Sequence, residues 1–594
     1  MEPVRTKPKR SKQSRAWSQN YLRTQGDVMV CIPCEQNKTM QTFKKSVQKG
    51  STGNIIRHFK SFHPDIHSSH QKNSTVVSIA PAKALVQWII STNQPFNTVE
   101  NKAFRDLFRA CGIEVPILSR ITLKSQVEQE YNQVMDTLRI VLQSANTVSI
   151  STDAWTNSSN LPFLGIVVHW IDDDFNYQER VLDFARLIGK HSGENMAHVI
   201  AKSLKHVGIE DKLFAITGDN AGNNLTLASE IEKLIPQFTK DHFVRCLAHV
   251  INLCVQTILV QLRSGTIKDA EDYNKNISVD STSPILKVRA LSILIGNSPQ
   301  QLDYWKFICN QTQKPANQIQ YDVANRWNST YYMIDRGCDY EEQYNLFVEN
   351  DLKRQHLKMS SPEWLYLNKV RRVLAKFEEL TKNVSEGQPQ ISQSLAIYYE
   401  IDDHFNSILE KSNGFDDMDD DIIDAVRSGY VHFQKYYNLA DCNDTYFVAS
   451  VLDPRMKTLL LQTHLADAAE DVIQEVKRII KTTYSAQQPQ QTQVATNNVI
   501  SRMLRNVPRA AIRCDVDNYF DGPLVDDYVG FDVIKWWKDH RQEYPIMAQA
   551  ARDYLAIPNS SVDCERMFSR GVDVSGVRRH SLHATTFRML MMLK

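Results

Sequence analysis

The hydrophobic period changes at residue 147, and this change limits the fold more than any other feature of the chain. Stretches 147–153, 163–171 and 177–188 read as strands joined by short turns such as Asp172-Asp173-Asp174. A helix is expected around 193–207, then a strand running to Asp219, another helix, and a strand Phe243-Val244-Arg245-Cys246-Leu247. This order of elements predicts a mixed α/β sheet. Polar residues at strand C-termini in such sheets tend to be functional, and Asp153 and Asp219 fall there. Residues 270–500 lose the alternation and take helical spacing, as in Val370, Val373, Leu374, Phe377 and Leu380. They read as a large helical insertion.

A third acid lies far downstream, in Ser560-Ser561-Val562-Asp563-Cys564-Glu565-Arg566-Met567-Phe568-Ser569. Ser560 and Asp563 have capping spacing, so a helix is predicted to begin there. Val562 and Phe568 would share the face of Glu565. A carboxylate on an apolar face is costly unless it is paired or metal-bound. Each acid alone has an ordinary alternative as a turn or cap residue. If Asp153, Asp219 and Glu565 meet, they can hold two Mg2+ or Mn2+ ions. Phosphoryl transfer needs that alignment and charge stabilisation more than covalent help.

The N-terminal region carries a different metal signature. Cys31-Ile32-Pro33-Cys34 is a tight knuckle, and His58 and His63 follow on an expected helix. These four suit a closed tetrahedral zinc site. Trp17, Phe43 and Phe62 are expected to form the small core that zinc completes. Arg57, Lys60, Lys44 and Lys45 are placed to contact DNA phosphates or base edges. A protein-binding finger is the alternative.

Bulk properties bound the partners. A net charge of +1 argues against a uniformly basic coat, so nucleic-acid binding must use local patches. Ten cysteines in 594 residues make no disulfide framework and favour a reducing compartment. No run of eighteen apolar residues appears, and no signal core is seen at the N-terminus. The tail there holds Arg5, Lys7, Lys9, Arg10, Lys12 and Arg15, a solvated tail or a nuclear-import or phosphate-binding segment. Asp416-Asp417-Met418-Asp419-Asp420-Asp421 reads as a solvated acidic loop, and 485–498 as a low-complexity connector.

The N-terminal module resembles a BED-type zinc finger, through Trp17, the long gap between ligand pairs, and the Gly-Asn…His-Phe…His-Pro ending. Residues 81–594 resemble a hAT-superfamily DNA transposase. The matching pieces are Gln94-Pro95-Phe96, Thr152-Asp153-Ala154-Trp155-Thr156, Thr217-Gly218-Asp219-Asn220-Ala221-Gly222-Asn223-Asn224, Arg245-Cys246-Leu247-Ala248-His249, Arg326-Trp327-Asn328-Ser329-Thr330 and the Glu565 segment. The glycines at 218 and 222 loosen the second acid motif.

The resemblance implies a multidomain α/β plus α protein. Its expected parts are a basic tail (1–15), the BED-type finger (16–67), a linker (68–80) and a helical dimerisation or DNA-binding segment (81–146). An RNase H-like core (147–268) follows, interrupted by the helical insertion (269–500) and completed within 501–594, which also holds the hAT dimerisation region. Asp153, Asp219 and Glu565 would be the catalytic triad. Trp327 would stack on an extruded base in hairpin formation, with an ordinary core tryptophan as the alternative. Cys246 and His249 would organise DNA or the active-site elements, or form a buried structural pair. Arg566, Arg570, Arg578 and Arg579 would hold the DNA backbone.

The expected activity is nuclear cut-and-paste transposition by a homodimer or larger homo-oligomer, acting on double-stranded terminal repeats and target DNA. The cofactors would be structural Zn2+ and catalytic Mg2+ or Mn2+. Two alternatives are a domesticated DNA-binding regulator and a plain RNase H-like nuclease.

Overall fold

A computed structural model describes residues 22–25, 28–36, 42–44, 53–63, 81–111, 119–157, 159–219, 223–275, 283–320, 326–386, 391–485, 514–576, 579 and 582–594. Trp17, the basic tail, Arg578, the 68–80 linker and most of the low-complexity connector lie outside them. The finger residues form one compact unit; Trp88–Asp106 with the chain from Leu118 onward forms another.

In the finger unit, β1 (Leu22–Gln25), β2 (Val28–Cys31) and β3 (Thr42–Lys44) pair antiparallel, and α1 (Gly53–Phe62) follows. Its core is Leu22, Met29, Cys31, Cys34, Phe43 and Phe59. Phe62, expected inside, is 71% exposed and stacks on the His58 ring instead.

From Leu118 the second unit continues with a long helix, α2 (Arg120–Ser144), capped by the Ser119 side chain. The sheet follows: β4 (Val148–Thr156), β5 (Pro162–Ile171), β6 (Tyr177–Arg186), then α3 (Gly193–Val207), β7 (Leu213–Gly218), α4 (Asn223–Leu234) and β8 (Phe243–Arg245). The strand order is β6-β5-β4-β7-β8, with β4, β5 and β6 antiparallel and β4, β7 and β8 parallel. Every expected element of this stretch is present. Boundaries differ most at three strands: β6 ends at Arg186 rather than 188, β8 ends at Arg245 with Leu247 already helical, and β4 runs three residues past Asp153, because 153–156 continue to pair with 162–165 of β5. Its parallel partner β7 stops earlier, at the Thr152–Gly218 pair.

Strand alternation splits β4 between two environments. Ile150 joins Leu138, Ile166, Ile200, Leu204 and Ile216 in the core beneath α2, α3 and α4. Ser149, Ser151, Asp153 and Trp155 take the opposite face. Beyond β8 every described element is helical: α5 (Leu247–Gln261), α6 (Trp327–Asp339), α7 (Ser361–Glu386) and α8 (Asp420–Ala440) lead, through shorter helices, to α9 (Val562–Val574) and α10 (Ala584–Met592).

The acidic run is not a free loop. Asp417 pairs with Arg372 at 3.0 Å, Asp419 with Lys369 at 2.8 Å, and Asp421 accepts from the Tyr366 hydroxyl at 2.9 Å, all on α7. Phe587, Met589, Leu590 and Met591 of α10 are buried within the chain. Ile534, Trp537, Tyr554 and Leu555 are likewise interior.

Candidate metal centres and nucleic-acid interface

In the finger, the two cysteine sulfurs and two histidine Nε2 atoms converge from the β2 knuckle and from the end of α1. Cys34 Sγ lies 3.1 Å from His63 Nε2 and 3.4 Å from His58 Nε2. Cys31 Sγ lies 3.4 Å from His58 Nε2 and 3.5 Å from His63 Nε2. Sulfur and nitrogen ligands on one tetrahedral zinc are separated by about 3.6 Å, so the donor set fits that ion. Burial raises the Cys31 thiol to about 11, a cost that zinc-bound thiolate removes. Lys60 is exposed on α1, while the side chain of Arg57 lies outside the described residues.

The acid centre is assembled by the sheet register. Thr152 pairs with Gly218, which sets Asp153 and Asp219 side by side where β7 ends. Glu565 arrives through a buried segment stitched to the same strands. Thr217 Oγ1 donates to the Pro558 carbonyl at 2.6 Å, the Leu247 N–H to Asn559 at 3.0 Å, and the Ser561 N–H to Cys246 Sγ at 3.3 Å. Cys564 then packs 3.7 Å from Ser151 Oγ. Gly165, the cross-strand partner of Asp153, permits this approach: a Cβ there would sit 2.4 Å from Met567 Cε and 2.9 Å from the Phe568 ring.

Glu565 differs from expectation in one respect. Asp563, Cys564, Met567, Phe568, Gly571 and Val574 form the buried stripe of α9, and Glu565 itself is exposed beside it. The expected capping box is also absent, because Asp563 pairs with Arg566 at 2.7 Å and Ser561 makes no side-chain cap.

Electrostatics tie the three acids together. Burial pushes the Asp153 carboxyl up to about 7, with the charges of Asp219 and Glu565 adding to the effect and the Ala154 N–H opposing it. No cationic side chain among the described residues pairs with Asp153 or Glu565. Carboxylate oxygens without a resident cation suit hard divalent ions. The carboxylate oxygens do not all lie within 4.8 Å of one another, unlike the finger ligands, among the described residues.

The other expected site residues separate into distinct environments. His249 is half-buried; burial lowers its pKa, and the nearby Asp219 and Glu565 oppose that shift, which places its imidazole at the acid centre. Cys246 is fully interior, its thiol pushed up to about 11 by burial, and it serves as acceptor for Ser561.

Three DNA-contact expectations meet obstacles. Trp327 is 1% exposed at the start of α6, so the ordinary core tryptophan describes it and base stacking would require it to leave that core. Arg579 is buried, donating to the backbone carbonyls of Ile89 at 2.8 Å and Gln94 at 3.0 Å, so it offers nothing to a phosphate. Arg566 spends donors on Asp563 and on the Ser385 carbonyl at 2.7 Å, linking α9 to the end of α7, while its side chain stays 52% exposed. Sequence motifs cannot reveal these partners, which lie on distant segments.

A second interior group escaped the sequence reading. His169, Glu179 and Asp563 bring their polar atoms within 4.8 Å. His169 bonds Ser151 Oγ at 2.9 Å and the Tyr177 hydroxyl at 2.7 Å, so both ring nitrogens are satisfied.

Three family models match this chain. The ZBED1 RNase-like domain covers residues 151–243, the ZBED1 RNase-like helical domain covers 244–373, and the hAT family C-terminal dimerisation region covers 515–594. The chain therefore carries RNase-like and hAT dimerisation domains, together with the Cys2His2 cluster of Cys31, Cys34, His58 and His63. Among its relatives, "Putative AC transposase" of Zea mays is 27% identical over 88% of this chain and 65% of its own length. "Putative transcriptional regulator tpeD" of Talaromyces stipitatus is 24% identical over 89% of this chain and 63% of its own length. "Zinc finger BED domain-containing protein RICESLEEPER 3" of Oryza sativa subsp. japonica is 22% identical over 80% and 64%. The chain thus spans less than two thirds of these relatives' length. No described helix is long and apolar enough to cross a membrane.

Proposed function

We propose that this protein is a nuclear cut-and-paste DNA transposase whose acid centre is Asp153, Asp219 and Glu565. The observation that carries the reading is the environment of Asp153, which feels the charges of both other acids although Glu565 lies hundreds of residues away in sequence. Mg2+ or Mn2+ bound there would activate the attacking oxygen and stabilise the leaving one. Asp153 is held by the paired strand β4, Asp219 follows the last paired residue of β7, and Glu565 stands on the helix that Gly165 lets approach. His249 brings its imidazole to the same spot. The finger, with Lys60 on its exposed helix surface, would find element ends, and the hAT dimerisation region would bring two ends together.

Excision from a plasmid carrying the element's own ends tests this. Wild type should release the marker and leave hairpins on the flanking DNA, and Asp153→Ala, Asp219→Ala and Glu565→Ala should each abolish both. Breaks without hairpins would instead indicate a plain nuclease.

A second reading, a DNA-binding regulator without transposition, is favoured by one observation: the interior position of Trp327, which withholds the residue expected to support hairpins. The tpeD relative carries a regulator's name. Specific DNA binding with no excision by wild type would select it.

A further inference from the structure

Away from the acid centre, the edge of the sheet holds a basic cavity of about 690 Å³ between β6, α3 and α10. Its charged floor is neutral within itself. Asp183, buried, accepts from Arg588 Nε at 2.6 Å and Nη2 at 2.8 Å, and from Ser203 Oγ at 2.6 Å. The remaining charged lining is of one sign: Arg186, Lys202 and Lys205, with the imidazoles of His206 and His583 beside them. These three cations are exposed, and none forms an ion pair among the described residues. Elsewhere in the unit cations commonly pair, as Arg371 does with Asp335 and Lys376 with Glu400.

Concentrating unpaired cations this way is unfavourable in the free protein. Lys202 and Lys205 stand three apart on one face of α3, a spacing at which like charges destabilise a helix. A polyanion would reverse that cost. The register fixes where the cavity lies: Asp183 pairs with Ile166 and Ile166 with Thr152, which share the face of Ile150 beneath α3, so the floor opens at the β6 edge on the sheet face opposite the Asp153 side chain. Duplex DNA carries a charge about every 1.7 Å along its axis, so a duplex lying along this edge presents several phosphates to the three cations.

We propose that this cavity seats backbone phosphates of duplex DNA. The choice of DNA as the polyanion rests on the transposase reading; the anion-binding chemistry does not. A free phosphate shares that chemistry, and the experiment separates the two.

The full chain and its Arg186→Gln/Lys202→Gln/Lys205→Gln variant are titrated with a fluorescent random-sequence duplex over a salt series. Loss of three phosphate contacts should flatten the slope of log affinity against log salt by about 2 to 3. The variant should match wild type in melting temperature and zinc content, because the altered side chains are exposed. A single charge reversal, Lys202→Glu, should move the slope in the same direction.

An unchanged slope overturns the proposal, and so does a wild-type chain that binds no duplex. Thermal protection by inorganic phosphate that is lost in the variant, with the DNA slope unchanged, would make the cavity a small-anion site and also overturn it. A flattened slope in a wild-type protein that cannot excise DNA would keep this proposal while removing the transposase reading. Excision intact with an unchanged slope would do the reverse.

Discussion

At the residue scale, proton and cation compete at Asp153. Its carboxyl sits at about 7, raised by burial and by Asp219 and Glu565, against an ordinary value of 3.8. The folded state therefore holds this proton more tightly than the unfolded chain. The group's contribution to stability falls as pH rises from the unfolded value through 7, and a bound cation offsets that loss. Divalent binding must displace the proton at low pH, so apparent Mn2+ affinity should rise about fivefold between about pH 6 and about pH 7 and about twofold more before it levels off. Calorimetric titration across that range checks it; Asp153→Asn should remove the pH dependence.

Arg579 makes a contrasting case. Burial lowers its guanidinium to about 10, and its donors are spent on the carbonyls of Ile89 and Gln94. Arg579→Ala should cost about 2 to 4 kcal/mol, since it strands buried acceptors, and lower the melting temperature. A DNA-contact role would instead weaken binding with no loss of stability.

At the scale of elements, the packing of α9 on β4 and β5 controls where Glu565 stands. Gly165→Val should push Met567 and Phe568 outward, with an overpacking cost of about 1 to 3 kcal/mol. Catalysis should fall far more than DNA binding, because the finger and the basic cavity are untouched. Excision and anisotropy on the same variant measure the two effects. Equal losses would show that the fold rather than the centre has failed.

The same elements show what the sequence disclosed. The β4–β8 order was legible because each strand is a short β-prone run bounded by turn residues or a helix, and α3 matched its expected bounds. The end of β4 was not legible: Thr156 stays in the strand only because Pro162 pairs with it. The exposure of Glu565 was also hidden, since Cys564 and Met567, rather than Val562, define the buried stripe. Arg566 and Arg579 look like phosphate ligands in a motif and become structural once Ser385 and Ile89 are beside them. Local patterns carry local structure, whereas a side chain's partner depends on chain segments far away.

For the whole molecule, two metal chemistries are expected in one chain. The thiolate and imidazole donors of the finger select zinc, and the carboxylates select hard cations. Cys34→Ser should lose zinc, measured by elemental analysis, and should reduce binding to element ends. Divalent-dependent strand cleavage of a nonspecific duplex should survive in that variant, because its acids belong to the other compact unit.

The most direct test of the central claim is Mn2+ binding to the purified chain, followed by electron paramagnetic resonance near neutral pH with zinc present. The account predicts about two Mn2+ bound per wild-type chain. Binding should be weakened or lost in Asp153→Asn, Asp219→Asn and Glu565→Gln, with zinc content unchanged. Full Mn2+ binding in any of those variants would contradict the assignment of that carboxylate, and full binding in all three would contradict the acid centre itself.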